Sequence, residues 1–316
     1  MRTIACIYGP QPRHLETIRS AAPGFDIVTG DESELRARLE DAEIVVGWNE
    51  WAEEICLRPQ SKLRWVQAWG AGVEHMPLDA FERRNIMLTN ASGVHAYPIS
   101  ETVFGMMLSF ARKLHAAARN QADKRWAWLG ELEEIHGKTL GLVGVGAIGE
   151  EIARLARAFR MQVLGVRRSG EPSPHVDRMY DHHGLNEVLV ESDFVVVTLP
   201  LTKDTRRLID ASRFKHMKPG AYFINIGRGL TVDTEALIEA LRSGAIAGAG
   251  LDVFEQEPLP ESSPLWAMEN VIITPHNSGS SVYYDDRAAE IFVANLRDYV
   301  QGKEPGRNRV DLRSQY

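Results

Sequence analysis

Short apolar runs alternate along the first third of the chain with stretches whose apolar positions recur at helical spacing. Ile4–Tyr8, Ile27–Val28, Ile44–Trp48, Leu63–Ala68 and Ile86–Leu88 are rich in β-branched or aromatic residues and predict strands. Leu15–Ala21 and Leu35–Leu39 predict helices between them. Strands separated by helices imply a parallel sheet covered on its faces. Beyond Pro98, the residues Ile99, Val103, Met106, Met107, Phe110 and Leu114 share one helical face, with Glu101 in the first turn, and predict a long buried helix over 99–114.

From Gly137 the alternation resumes, with strands expected at Leu140–Val143, Val163–Val166, Phe194–Thr198, Tyr222–Ile226, Ala249–Val253 and Val271–Thr274. Ala289, Phe292, Val293, Leu296 and Val300 then predict a closing helix from about Asp285. The expected fold class is therefore α/β, with two doubly wound parallel-sheet domains. One comprises residues 1–98 plus 285–316, and the other, residues 99–284, is inserted into it.

Composition narrows the classes of function. Of 316 residues, 44% are hydrophobic and 25% charged, as in folded globular proteins. Lys and Arg number 36 against 43 Asp and Glu, a net charge of −7 that disfavours nucleic acid or an anionic membrane as partner. No stretch approaches the roughly 20 apolar residues of a membrane span, so a cytoplasmic protein is expected. Cys6 and Cys56 are too few for a disulfide framework or a cysteine-based zinc site. His182-His183 lies in a polar stretch without a second ligand pair, so no metal is expected there.

Gly144-Val145-Gly146-Ala147-Ile148-Gly149 lies between a predicted strand and a helix whose Ile148, Ile152, Leu155, Ala156 and Phe159 share one face. Glycines there permit a tight turn and a close backbone approach to a pyrophosphate, and the helix N-terminus offers unpaired N–H groups. Gly144, Gly146, Ala147, Ile148 and Gly149 are thus candidate cofactor-binding residues. About 20 residues on, where an acid would accept from a ribose 2′-hydroxyl, stand Arg167-Arg168-Ser169. Two guanidiniums and a hydroxyl suit a 2′-phosphate instead. NADP(H) is the preferred cofactor on this reading and NAD(H) the second candidate; a solvated basic strand end is the bland alternative.

Three segments carry a more specific signal: Asn225-Ile226-Gly227-Arg228-Gly229, Gly250-Leu251-Asp252-Val253-Phe254-Glu255-Gln256-Glu257-Pro258 and Thr274-Pro275-His276-Asn277-Ser278-Gly279. In order and spacing they resemble the signatures of the D-isomer-specific 2-hydroxyacid dehydrogenase family, and are most similar to its glyoxylate/hydroxypyruvate reductase branch. The resemblance runs from Trp69-Gly70-Ala71-Gly72-Val73 to the C-terminal helix. It implies a flavodoxin-like substrate domain, a Rossmann cofactor domain, an active site in the cleft, and an oxidoreductase passing hydride between the cofactor and a small 2-keto or D-2-hydroxy acid.

The resemblance implies that Arg228 holds the substrate carboxylate and carbonyl, that His276 is the acid/base, and that Glu257 pairs with His276. The chemistry asks for these types. Hydride arriving at a keto carbon builds charge on the carbonyl oxygen, so a cation and a proton donor must converge there. Arg keeps its charge, His cycles a proton near neutrality, and an adjacent carboxylate favours the protonated imidazole. The resemblance further implies that Asp252 accepts from the nicotinamide carboxamide, that Leu199, Pro200, Thr205 and Ile226 adjoin the cofactor, and that the amides of Ala71, Gly72 and Val73 bind the substrate carboxylate. Glu74 stands where the family more often has Asp.

The other nine histidines, His95 among them, are expected to be structural. Trp48, Trp69, Tyr283 and Tyr284 either line the cleft, with Trp48 against substrate, or are ordinary core aromatics. Trp126 and Trp128 fall in a segment that the resemblance assigns to an arm around a partner subunit, so a homodimer is expected. Two rival readings remain: an NAD-dependent D-2-hydroxyacid or phosphoglycerate-type dehydrogenase, and a nucleotide-sensing co-repressor on the same fold.

Overall fold

The computed structural model describes residues 2–73 and 75–313. The chain divides into two units, Met1–Val94 with Ser281–Tyr316, and His95–Ser280, so the chain passes from one to the other at Val94–His95 and returns at Ser280–Ser281.

The first unit runs β1 (Arg2–Cys6), α1 (Pro12–Ala21), β2 (Phe25–Val28), α2 (Glu32–Leu39), β3 (Ile44–Val46), α3 (Glu50–Cys56), β4 (Trp65–Gln67), α4 (Leu78–Arg83) and β5 (Met87–Thr89). The strands form one parallel sheet of order β2-β1-β3-β4-β5, with Ile4 opposite Ile44 and Val45 opposite Val66. A sheet covered on both faces needs apolar residues at successive positions rather than alternate ones. Ile44-Val45-Val46 meets that need: Val45 packs with Trp48, Val66 and Phe81 on one face, and Ile44 and Val46 with Trp65 and Phe292 on the other. Phe292 comes from the closing helix, which returns the chain to this unit.

The second unit opens with α5 (Ala96–Ala111) and α6 (Leu114–Ala122). It continues through β6 (Thr139–Val143), α7 (Ala147–Ala158), β7 (Gln162–Val166), β8 (Arg178–Tyr180), α8 (Leu185–Glu191), β9 (Phe194–Val197), α9 (Ala211–His216), β10 (Tyr222–Asn225), α10 (Thr234–Arg242), β11 (Gly248–Leu251) and β12 (Val271–Ile273). Seven parallel strands take the order β12-β11-β10-β9-β6-β7-β8, doubly wound about β6. Phe194 and Val196 face a core shared with Met107 and Phe110 of α5 and Ile152 of α7, while Val195 and Val197 face one shared with Leu189, Phe214 and Leu237. The last helix, α11 (Tyr284–Val300), belongs to the first unit.

Two parallel-sheet α/β units thus match the fold class read from the sequence. The long helix does not. α5 stops at Ala111, Lys113 adopts a left-handed backbone (φ 51°), and Leu114 begins α6 with 52% of its surface exposed. Apolar spacing carries through this break, but no residue of α6 is buried, so nothing holds the chain on the α5 axis. Among the described residues, no helix is long and apolar enough to cross a membrane.

Gly229 shows how tightly the loops after β10 and β11 meet. A Cβ built there falls 1.9 Å from the carbonyl carbon and oxygen of Phe254, so the backbone would have to move. Gly229→Ala is expected to lower unfolding stability by about 1–3 kcal/mol through overpacking. Urea titration checks this by the midpoint; an unchanged midpoint contradicts the contact.

Candidate active site

Parallel strands deliver all their outgoing loops to one sheet edge. In the second unit this edge gathers Gly144 after β6, Arg167 after β7, Leu199 after β9, Arg228 after β10, Asp252 and Glu257 after β11, and His276 after β12.

Glu257 uses both oxygens. Oε1 accepts from the Phe254 N–H at 2.8 Å, and Oε2 accepts from His276 Nδ1 at 2.6 Å. Because a carboxylate only accepts, the hydrogen in this contact sits on Nδ1, which leaves Nε2 as the ring atom able to exchange a proton. Both side chains are partly exposed and so within reach of a ligand.

His276 has φ 51°, a left-handed conformation that costs a non-glycine residue about 1–3 kcal/mol. Several contacts hold it there. Its N–H donates to the carbonyls of Asp252 (2.9 Å) and Thr274 (3.1 Å). The Asp252 side chain, 1% exposed, takes the rest of the loop: Oδ1 accepts from Thr274 Oγ1 (2.6 Å), Asn277 N (3.1 Å) and Ser278 N (3.2 Å), and Oδ2 from Ser278 Oγ. A buried carboxylate survives only when hydrogen-bonded this fully. A nicotinamide carboxamide, as the resemblance implies, would share oxygens that already shape the His276 loop.

Arg228 is half-buried, with Nη1 donating to the Gly227 carbonyl at 2.9 Å. Its own carbonyl accepts from Thr231 Oγ1 (2.6 Å), Thr231 N (3.1 Å) and Asn225 Nδ2 (3.2 Å), which fixes the turn. Burial holds the His95 imidazole below its ordinary pKa, a hydrogen bond to Gly279 O opposes this, and the electrostatic influence of Arg228 and His276 adds to the lowering.

The glycine loop has the form expected of a phosphate cradle. Gly144 has φ 104°, and a Cβ there would sit 2.7 Å from Thr198 Oγ1, which donates to the Gly144 carbonyl. Gly149 would bring a Cβ within 2.5 Å of the same carbonyl. Gly146 caps α7, and the N–H groups of Ala147, Ile148 and Gly149 donate to no described residue. These residues fit a dinucleotide pyrophosphate.

The structure separates the two arginines. Arg167 bonds the Pro172 carbonyl (2.9 Å) and pairs with Glu150 (3.5 Å) and Glu171 (3.8 Å). Arg168 and Ser169 are exposed, and among the described residues Arg168 forms no ion pair. Of the other cofactor candidates, Leu199 and Pro200 follow β9, half-buried. Thr205 spends its hydroxyl on its own loop, donating to Pro200 O and accepting from Thr202 N, both at 2.7 Å. Ile226 points into the core beside Ile224.

In the first unit, Trp48 is a core residue. It is 3% exposed and its ring meets Phe81 edge-on at 5.0 Å. The loop after β4 is different. The carbonyls of Trp69, Gly70 and Ala71 accept from Tyr284 OH, Ala91 N (3.0 Å) and Asn90 Nδ2 (2.7 Å), and the Trp69 indole donates to Asp285 Oδ1 at 2.9 Å. With the carbonyl sides occupied, the N–H groups of Ala71, Gly72 and Val73 donate to no described residue, an arrangement suited to an anion. Glu74 lies outside the described residues. Sequence reasoning missed Asn90 and Asp285 because their partners come from distant segments.

A family model described as D-isomer specific 2-hydroxyacid dehydrogenase, NAD binding domain, matches residues 104–278. The chain is 39% identical over 299 residues to a glyoxylate/hydroxypyruvate reductase B of Salmonella schwarzengrund, covering 92% of this chain and 87% of that protein. Among solved structures it resembles a D-isomer specific 2-hydroxyacid dehydrogenase family protein from Aeromonas salmonicida, with 37% identity, a TM-score of 0.85 and coverage of 98% and 99% of the two chains. It also resembles an NADPH-dependent glyoxylate/hydroxypyruvate reductase from Sinorhizobium meliloti, solved with NADP and sulfate, with 29% identity, a TM-score of 0.83 and full coverage of both chains (100%).

Removing the carboxylate that shapes the His276 loop leaves several donors without an acceptor, at about 1–3 kcal/mol for each that stays buried. Asp252→Ala is therefore expected to lower the melting temperature and to cut turnover at least about tenfold even in the folded fraction. Differential scanning calorimetry and steady-state kinetics on the same preparation check both; wild-type turnover would contradict the assignment.

Proposed function

The chain belongs to the D-isomer specific 2-hydroxyacid dehydrogenase family, and within it we propose that it is a reductase of small 2-keto acids of the glyoxylate/hydroxypyruvate type that prefers NADPH. The observation that carries this reading is the Glu257–His276 pair at 2.6 Å on the sheet edge that also bears Arg228 and the open amides of α7.

When bound, the nicotinamide supplies the hydride. The chain's own groups supply the rest. Arg228 brings a permanent positive charge to the oxygen on which negative charge develops. His276 gives the proton from Nε2, while Glu257 holds the ring by Nδ1 and balances its charge. In the first unit, the amides of Ala71, Gly72 and Val73, which donate to no described residue, suit a carboxylate.

The cofactor preference rests on Arg168 and Ser169, exposed where an acid would repel a 2′-phosphate. The Sinorhizobium meliloti relative is described as NADPH-dependent, which supports the same choice. With glyoxylate or hydroxypyruvate as acceptor, kcat/KM is expected to be about 10- to 100-fold higher with NADPH than with NADH, the value of one charge-assisted contact of about 1.5–3 kcal/mol. Arg168→Ala removes most of that ratio and leaves NADH nearly unchanged. Equal or better kcat/KM with NADH in the unaltered protein overturns the preference.

A homodimer belongs to the same proposal. Trp126 and Trp128, 105% and 87% exposed, lie on a segment after α6 that forms neither helix nor strand. Two large aromatic side chains presented together on one segment are of the type enriched at interfaces, and symmetric pairing of two chains would cover them. Light scattering at micromolar concentration should give twice the mass of the chain; the mass of a single chain contradicts the proposal.

A further inference from the structure

His95 is the first residue of the second unit and stands immediately before α5. Its Nδ1 lies 3.1 Å from the carbonyl oxygen of Gly279. A carbonyl only accepts, so Nδ1 carries the hydrogen and donates it. Gly279 is shaped for this contact: a Cβ there would fall 2.7 Å from Nδ1 and 3.3 Å from Cε1, so the ring occupies the space a side chain would take. Gly279 lies three residues beyond His276 in the chain.

Two anchors therefore hold the His276 loop. Asp252 grips it from Thr274 to Ser278, and His95 grips its far end at Gly279. The second anchor stands on a firm base, because α5 buries Val103, Met107 and Phe110 in the core of the unit. We propose that His95 is a positioning residue for proton transfer by His276, acting through the Gly279 carbonyl; this rests on the reading of His276 as the proton donor. Burial, with smaller contributions from nearby Arg228 and His276, disfavours a charged His95, so the contact is made by a neutral ring. A lysine or arginine could donate at the same place only by bringing a charge.

The test uses the full chain with NADPH and glyoxylate. His95→Leu removes the donor and is expected to lower kcat by about 10- to 100-fold, the cost of a small misplacement of a reacting group. KM for glyoxylate and the Kd of NADPH should stay within about twofold, because binding is not the step affected. His95→Asn retains an N–H donor and should recover most of the rate. Gly279→Ala displaces the ring and should reproduce the loss, and adding it to His95→Ala should cost nothing further. Amide hydrogen exchange at 277–279, read without any turnover, should rise in His95→Leu and not in His95→Asn. Unchanged exchange in His95→Leu, or independent multiplying losses in the double variant, overturns the proposal. His276→Ala, assayed alongside, separates the two claims: if it is inactive while His95→Leu turns over normally, the positioning role fails and the proton-donor reading stands.

Discussion

The site depends on one buried carboxylate. Asp252 takes hydrogen bonds from Thr274, Asn277 and Ser278 and is almost wholly out of water. This keeps His276 in a backbone conformation that its own preferences oppose. The pairing of Nδ1 with Glu257, and hence the freedom of Nε2 to exchange a proton, follows from where that backbone points the ring. The catalytic reading of His276 is thus a consequence of how β11 and β12 end side by side in register, Leu251 opposite Ile273.

The same logic recurs in the two loops proposed to bind anions. At α7, helix geometry leaves the first N–H groups unpaired, and Gly144 and Gly149 let the loop pack closely, the one against Thr198 and the other against the Gly144 carbonyl. After β4, where no helix begins, the result is reached by occupying the opposite side of each peptide: Tyr284, Ala91 and Asn90 take the carbonyls. One loop is written in glycines that a sequence displays. The other is written in partners distant along the chain, which a sequence hides.

This difference accounts for what could be read in advance. The strands of both sheets were legible because parallel strands covered on two faces are short unbroken apolar runs, as at Ile44-Val45-Val46 and Phe194–Val197. β8, with Arg178 exposed at its start, has no such run. α3 escaped notice because a seven-residue helix held by an Asn49 cap shows little periodicity. Periodicity also could not reveal the left-handed turn at Lys113. Arg228, Glu257 and His276 were readable from motif order, whereas the contact between His95 and Gly279 spans 184 residues and has no local signature. Trp48 was ambiguous for a chemical reason: an indole satisfies a core and a cleft equally well, and the structure places it in the core.

The imidazole of His276, oriented by Glu257 and held by Asp252, is proposed to deliver the proton that accompanies hydride transfer. Single-turnover oxidation of bound NADPH by glyoxylate in His276→Ala, with NADPH affinity measured in parallel, tests it most directly. A hydride-transfer rate lower by about 10²–10⁴ at unchanged affinity is expected; a rate close to that of the unaltered protein would mean that another group delivers the proton.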